Sequence, residues 1–340
     1  MAAKKEPGKV ILTGVKPTGA PHLGNYVGAI RPAIRLVDGA SASYLFIADY
    51  HALNAVRDRE AIRRDSYDVA ATWLALGVNP EKTVFYRQSD IPEIFELMTA
   101  LLAVTPKGLM DRAHAYKASV DKNKEEGRDA DADVNMGLYT YPALMASDIL
   151  IMRAHVVPVG KDQVQHIEFA RDMAGYFNNA FGEALTLPEY QIEKAGSAIP
   201  GLDGRKMSKS YGNHIPVFAP AKERQKLIMK IVTDSKMPAD PKNPDESAIF
   251  QLYSHFAPES EVAVMREAFL KGGMGYGDAK KLLAAVVDKT LEKPTELYNQ
   301  YMADPKKLDE ILMAGAEKAR KVSKATLSSV REAIGLKKLT

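Results

Sequence analysis

The sequence predicts an α/β fold, a mostly parallel sheet with helices on both faces, followed by a smaller all-helical domain. Three observations carry this reading. Over the first 200 residues short β-rich runs alternate with longer segments of helical periodicity. After about residue 220 the strand signal fades. The 340 residues, 46% of them apolar, suffice for two packed cores. Strands alternating with helices imply βαβ units.

The strand candidates are VILTGV (10–15), SYLFIADY (43–50), KTVFYRQS (82–89) and HVVPVG (155–160). Between the second and third, Ile62, Ser66, Val69, Ala70, Trp73 and Leu74 fall on one face of an amphipathic helix, with Gly77 as its stop. Ligands of such sheets sit at the carboxyl ends of the strands, where the loop after Val15 lies. The run DKNKEEGRDADAD (121–133) is nearly devoid of apolar residues and is expected to be a solvated loop. Beyond residue 220, AKERQKLIMKIV, ESAIFQLYSHF, DAKKLLAAVVDKTL and DEILMAGAEKARKVSKATLSSVREAIGL read as helices, with Pro/Gly-marked breaks at KMPADPKNPDES and KGGMGYGD.

The absence of Cys excludes disulfides, thiolate metal sites, iron–sulfur clusters and Cys nucleophiles, and makes the cytoplasm the expected compartment. The start MAAKKEPGKV lacks the apolar core of a signal peptide, and no run approaches the ~20 apolar residues of a membrane span. Charge is uneven. Residues 1–200 hold 22 Lys/Arg and 25 Asp/Glu, net −3, whereas residues 201–340 hold 24 and 18, net +6. An anionic partner for the C-terminal half is one reading, and a well-solvated basic helix is the other.

In KPTGAPHLGN, Gly24 would let a nucleotide approach the backbone at a helix start, and His22 and Asn25 would donate to phosphate oxygens. The second cluster is GLDGRKMSKSYGN (201–213), where Lys206 and Lys209 ride on a Gly-bracketed segment. Alone it reads as exposed padding. Paired with the distant helix start, it becomes a cationic loop able to stabilise charge on departing pyrophosphate.

Two further stretches place polar groups among apolar ones. Tyr141, Leu144, Met145, Ile151 and Met152 share a helical face with Asp148, a carboxylate that must find a donor or be protonated. Arg153 or a neighbouring helix terminus would serve as its partner. Asp162 and His166 head a stripe of Phe169, Ala170, Met173 and Phe177, which fits a lined cavity and, for His166, equally a core histidine.

PTGAPHLGN (17–25) with KMSKS (206–210) resembles the HIGH and KMSKS signatures of class I aminoacyl-tRNA synthetases. The intervening sequence resembles the bacterial tryptophanyl branch, through ADYHALN (48–54), YPALMASDIL (141–150), VPVGKDQVQH (157–166) and VTDS (232–235). The resemblance implies a Rossmann-type catalytic domain over 1–200 and the KMSKS loop with a helical anticodon-binding domain over 201–300. It leaves the helices of 301–340 to pack back on the first domain. It also implies a homodimer that activates tryptophan with ATP and Mg²⁺ and passes it to the 3′ end of tRNA(Trp).

Residue by residue, it implies catalytic roles for His22, Asn25, Lys206 and Lys209. Contacts to ATP are implied for Lys16, Pro17, Thr18, Gly24, Asn25, Lys117, Gly160, Lys161, Asp162, Ile199, Lys206, Met207, Ser208, Lys209 and Ser210. Tyr141, Met145, Asp148, Val157, Val159 and Gln163 would hold tryptophan, Asp148 accepting the indole N–H; no protein metal ligand is implied. Lys16 stands where many relatives carry Gln, and Lys161 replaces an expected acidic residue. His51 receives no role. The alternatives are a tyrosyl-specific relative and a catalytically silent paralogue that binds tryptophan or RNA.

Overall fold

The computed structural model describes residues 8–17, 19–40, 42–192 and 199–337. Five strands, β1 (Val10–Val15), β2 (Ala42–Ile47), β3 (Thr83–Arg87), β4 (Val156–Val159) and β5 (Glu189–Ile192), form a parallel sheet of order β3-β2-β1-β4-β5. Leu12 aligns with Tyr44 and Val15 with Ile47 across the β1–β2 pair. The chain thus builds from β1 toward β3 on one side and resumes at β4 on the other. The crevice between β1 and β4 is a topological switch point, where open α/β sheets bind ligands.

Every connection from one strand to the next is a helical crossover. The helices are α1 (Leu23–Asn25), α2 (Arg31–Gly39), α3 (Asp49–Ala52), α4 (Arg59–Ala75), α5 (Glu93–Val104), α6 (Lys107–Met110), α7 (His114–Glu125), α8 (Met136–Ile151) and α9 (Val164–Phe181). A π-helical segment, Tyr26–Ile30, joins α1 to α2. Successive residues of a strand face opposite sides. Tyr44 and Phe46 accordingly pack with α5, α8 and α9, and Leu45 and Ile47 with α2 and α4. Asp58 caps α4 by accepting from Glu60 N–H, Asn135 caps α8 by accepting from Leu138 N–H, and Gly77 (φ +118°) ends the turn after α4.

Five more helices follow: α10 (Ala221–Met229), α11 (Ala248–Phe256), α12 (Glu259–Lys271), α13 (Tyr276–Ala303) and α14 (Pro305–Ala333). The first four share a separate core built on Ile228, Phe250, Leu252, Phe269, Leu283 and Val287. Buried Arg224 stitches it together, donating to Asp288 and to the carbonyls of Val217 and Ala219. Helix α14 runs back along β3, the outer strand. Leu308 and Leu312 join the core on one sheet face, and Ala316, Ala319, Leu327 and Val330 the core on the other. It therefore covers the exposed strand edge, clamped by Arg320 on Glu93 and Arg331 on Glu96.

Four local expectations need correction. The second strand stops at Ile47, because Asp49 accepts from the N–H groups of Tyr50 and Ser89 and opens α3. Residues 121–125 finish α7, and buried Asn123 fastens the following turns by donating to the carbonyls of Ala130 and Ala132. Asp162 precedes α9 in a 3₁₀ turn, Lys161–Gln163, so it does not share the helix stripe that begins at His166. Met152 likewise lies past the last turn of α8 as its C-cap.

Candidate active site

The loop after β1 ends at His22, which caps α1. Its Nδ1 accepts from Asn25 N–H (3.2 Å), and Asn25 Oδ1 accepts from His22 N–H (3.1 Å). This reciprocal capping box holds both side chains at the helix start. Burial first, then the nearby charges of His214 and Lys209, pushes the His22 imidazole down to about 4. At neutral pH it is uncharged, as an Nδ1 acceptor must be.

The segment just past the KMSKS loop is bonded directly to this turn. Leu23 N–H donates to Ile215 O (2.9 Å), and Val217 N–H to Pro21 O (3.0 Å). Met207, buried, lies over Gly24, whose N–H donates to the Met207 Sδ at 3.3 Å. A side chain at Gly24 would stand 3.3 Å from Met207 Cβ and 3.0 Å from the His22 ring. Within the loop, Asn213 accepts from Ser208 N–H and donates to Asp203 Oδ1 and Lys206 O. Lys209 reaches the same loop from above: its Nζ lies 3.5 Å from where a Cβ would stand on Gly19, close to Asp65.

A cavity of about 860 Å³ opens at the carboxyl ends of the strands. One end is lined by Gly19, His22, Asn25, Ser208 and Lys209, the other by His51, Tyr141, Met145, Val157, Val159, Gly160, Gln163 and His166. Lys16 lies between them. The Tyr141 hydroxyl and His166 Nε2 share a hydrogen bond of 3.0 Å. Burial, with smaller contributions from His114, Lys16 and His51, lowers His166 to about 4, so its ring is neutral at pH 7.

Beneath this end Asp148 is almost fully enclosed, 1% exposed. His51 Nε2 donates to its Oδ2 (2.9 Å), and Gln88 Nε2 lies 2.9 Å from both oxygens. Burial raises the Asp148 pKa, and the His51 and Gln88 hydrogen bonds oppose that rise. Its partners are therefore these two, while Arg153 reaches instead to Thr326 and Ser329.

Several residues implied by the resemblance lie away from the cavity wall. Lys206 is exposed and bridges Pro200 through its backbone. Lys117 is exposed on α7, two residues beyond Ala115, which does line the cavity. Ile199 is buried in the helical core and accepts from Met207 N–H. Lys161 and Asp162 are exposed beside Gly160, Pro17 is buried under the loop, and Ser210 meets Ser208 at 2.8 Å. Thr18 lies outside the described residues.

Comparison with known proteins fits this geometry. Residues 4–292 match the family described as tRNA synthetases class I (W and Y). The chain belongs to this family. A tryptophan–tRNA ligase of Neisseria meningitidis serogroup A is 53% identical over 333 residues, covering 97% of this chain and 99% of that protein. One from Pseudomonas aeruginosa is 52% identical, covering 97% and 74%. The crystal structure of the Campylobacter jejuni tryptophanyl-tRNA synthetase complexed with ADP and tryptophan superposes with a TM-score of 0.87, at 42% identity, covering 96% of this chain and all of that one.

For a class I synthetase of this type, sequence reading misses two residues beside the cavity. Gln88, fully buried after β3, and His51, after β2, together hold Asp148. The only signal available was the placement of both residues just past strand ends, where such sheets gather ligand contacts.

Proposed function

We propose that this synthetase is an ATP-dependent tryptophan–tRNA ligase. The carrying observation is one cavity with a cationic end, beside which the Gly24–Met207 contact seats the KMSKS loop on the helix start, and an aromatic end. Strong identity to tryptophan–tRNA ligases over nearly the whole chain supports the choice of amino acid. In this reading His22, Asn25 and Lys209 face the phosphates, and Lys206 and Lys117 reach them when substrate binds. Tyr141, Met145, Val157, Val159 and Gln163 surround tryptophan, with Asp148 and His51 as the polar floor under the indole N–H.

The tryptophan carboxylate oxygen attacks the α-phosphorus of ATP, and the bond to the bridging oxygen breaks as pyrophosphate leaves with the electron pair. The acyl group then passes to a ribose hydroxyl of the terminal tRNA adenosine. No protein nucleophile is needed; the chain aligns two reactants and places cations where negative charge grows. In this reading the Mg²⁺ is carried on the phosphates of ATP. When bound, that ion supplies charge neutralisation of the triphosphate.

Residues 1–200 form the catalytic unit in this reading, 201–300 the KMSKS loop and anticodon-binding helices, and 301–340 a return to the first unit. Exposed Lys318, Lys321 and Lys324 on α14 are available to tRNA phosphates. Two copies form the working enzyme, in the cytoplasm; no helix among the described residues is long and apolar enough to cross a membrane. Tryptophan-dependent ATP–pyrophosphate exchange tests the reading. Exchange with tryptophan and not with tyrosine supports it, exchange with tyrosine alone assigns the tyrosyl activity, and exchange with no amino acid indicates a silent paralogue.

A further inference from the structure

Helix α4 contributes Val69, Thr72 and Trp73 to the cavity wall. Just before them it carries two carboxylates, Asp65 and Asp68, whose spacing sets them on one face. The mechanism above uses neither. Asp65 keeps only 15% of its side chain exposed, and its Oδ1 accepts from Arg64 Nε (3.0 Å). Its Oδ2 lies 3.8 Å from where a Cβ would stand on Gly19, and Lys209 Nζ lies 3.5 Å from that same point. Asp68 is 5% exposed. Its Oδ1 accepts from the Tyr298 hydroxyl, and the Tyr298 ring stacks at 4.0 Å on Phe218, in the segment past the KMSKS loop. The other oxygen, Oδ2, is buried and has no hydrogen-bond partner among the described residues.

A buried carboxylate oxygen without a donor is costly, and two acids beside a triphosphate site repel its ligand. A cation is needed to offset both. Burial raises the Asp68 pKa and the Tyr298 hydrogen bond opposes the rise; of the surrounding charges Asp65 adds to it, while Lys209, ahead of Arg64, counters it. Arg64 is engaged with Asp65. Lys209 has a flexible four-carbon stem on a Gly-bracketed loop, so its ammonium is able to move between the α4 acids and a phosphate.

Resting on the function proposed above, we propose that Asp65 and Asp68 form a docking place for the Lys209 ammonium in the nucleotide-free enzyme, and that the triphosphate takes Lys209 from them when ATP binds. The acid pair draws the KMSKS loop toward α4 and neutralises the lysine until a phosphate is present. Asp65 and Asp68 touch no substrate and are positioning residues. Their charge lowers ATP affinity, because each binding event first separates Lys209 from them.

The test is equilibrium binding of MgATP without tryptophan, so that no adenylate forms, to Asp65→Asn, Asp68→Asn and Asp65→Glu, each made with Lys209 present and again with Lys209→Met. With Lys209 present the two carboxamide variants are expected to bind ATP about fivefold more tightly than wild type, the scale of a partly exposed ion pair. Asp65→Glu keeps the charge and should stay near wild type. In the Lys209→Met background the gain should vanish, a coupling that a merely structural role for the acids does not produce. A gain of equal size without Lys209 overturns the proposal, because the acids would then act on the triphosphate directly. Unchanged or weaker ATP binding in Asp65→Asn overturns it as well. Where Asp68→Asn does not fold, Asp65→Asn and Asp65→Ser decide by the same criteria. Wild type that neither binds ATP nor forms adenylate with tryptophan overturns the function itself, a result distinct from a wild type that forms adenylate beside an Asp65→Asn variant of unchanged ATP affinity.

Discussion

The Gly24 N–H donates to Met207 Sδ at 3.3 Å across 183 residues of chain. This contact seats the KMSKS loop on the helix start that His22 and Asn25 build, and it leaves only a tight fit for a side chain at position 24. Two short motifs thereby become one surface. Their union comes from the sheet, because β1 delivers the first motif to the carboxyl edge and the Leu23–Ile215 and Val217–Pro21 hydrogen bonds hold the second against it.

Gly24→Ala should separate them. The added methyl must push back the Met207 Cβ or the His22 ring, at 3.3 and 3.0 Å, so either the loop lifts or the imidazole turns away. The expected result is a fall of about 100-fold in tryptophan-dependent pyrophosphate exchange, the scale on which misplacing catalytic groups by about an ångström acts. Alanine suits the helical backbone here, and the melting temperature should stay within a few degrees of wild type. Unimpaired exchange would show that the Met207–Gly24 seat is dispensable.

His22 and His166, both held at about 4 against an ordinary 6.5, predict a loss of stability in acid. Their folded pKa values lie below the unfolded ones, so the unfolded chain binds protons first as pH falls. Stability from this source is complete above about 6.5 and is lost progressively down to about 4. Half-buried Asp49 and buried Asp68 and Asp148, whose pKa values are raised, act in the opposite sense, and a comparison with a variant isolates the histidine. Between pH 7 and 4.5, urea unfolding should show His166→Gln losing less stability than wild type, by about 2 kcal/mol.

Where apolar alternation met clear boundaries, the chain was readable to the residue. VILTGV is β1 itself, bounded by Lys16-Pro17. The fifth strand escaped notice because EYQI is exposed along its length and carries no buried face to pattern. The last turn of α7 looked like a loop because Lys and Glu, good helix formers, fill it without an apolar stripe. The motif residues His22, Asn25 and Lys209 were legible because their chemistry is local. Asp148's partners were not, since His51 and Gln88 lie 97 and 60 residues away and no spacing rule links them.

Those partners make Asp148 a residue of both recognition and stability. Asp148→Ala strands the buried His51 and Gln88 donors, an arrangement that costs about 3 kcal/mol when one member of a buried polar cluster is removed. It also deletes the acceptor proposed for the indole N–H, and a pocket built around one buried hydrogen bond owes it a selectivity of about 10⁴. The expected outcome is a lower urea midpoint together with a collapse of the tryptophan-over-tyrosine preference in pyrophosphate exchange. Retained preference would place recognition elsewhere in the cavity.

Gly315 tests the fold apart from the chemistry. Helix α14 lies so close to β3 that a Cβ at this position would stand 1.8 Å from Phe85 O and 2.6 Å from its carbonyl carbon. Backbone cannot yield as a flexible side chain does, so the helix must move off the strand edge. That would loosen Leu312 and Ala316 in the two cores it joins and strain the Arg320–Glu93 pair. Helix propensity favours alanine over glycine by about 1 kcal/mol, and overpacking of this severity outweighs it. Gly315→Ala should be destabilised by about 3 kcal/mol in urea unfolding, with tryptophan affinity unchanged in the fraction that remains folded. A stabilised variant would mean that α14 does not press on the β3 edge.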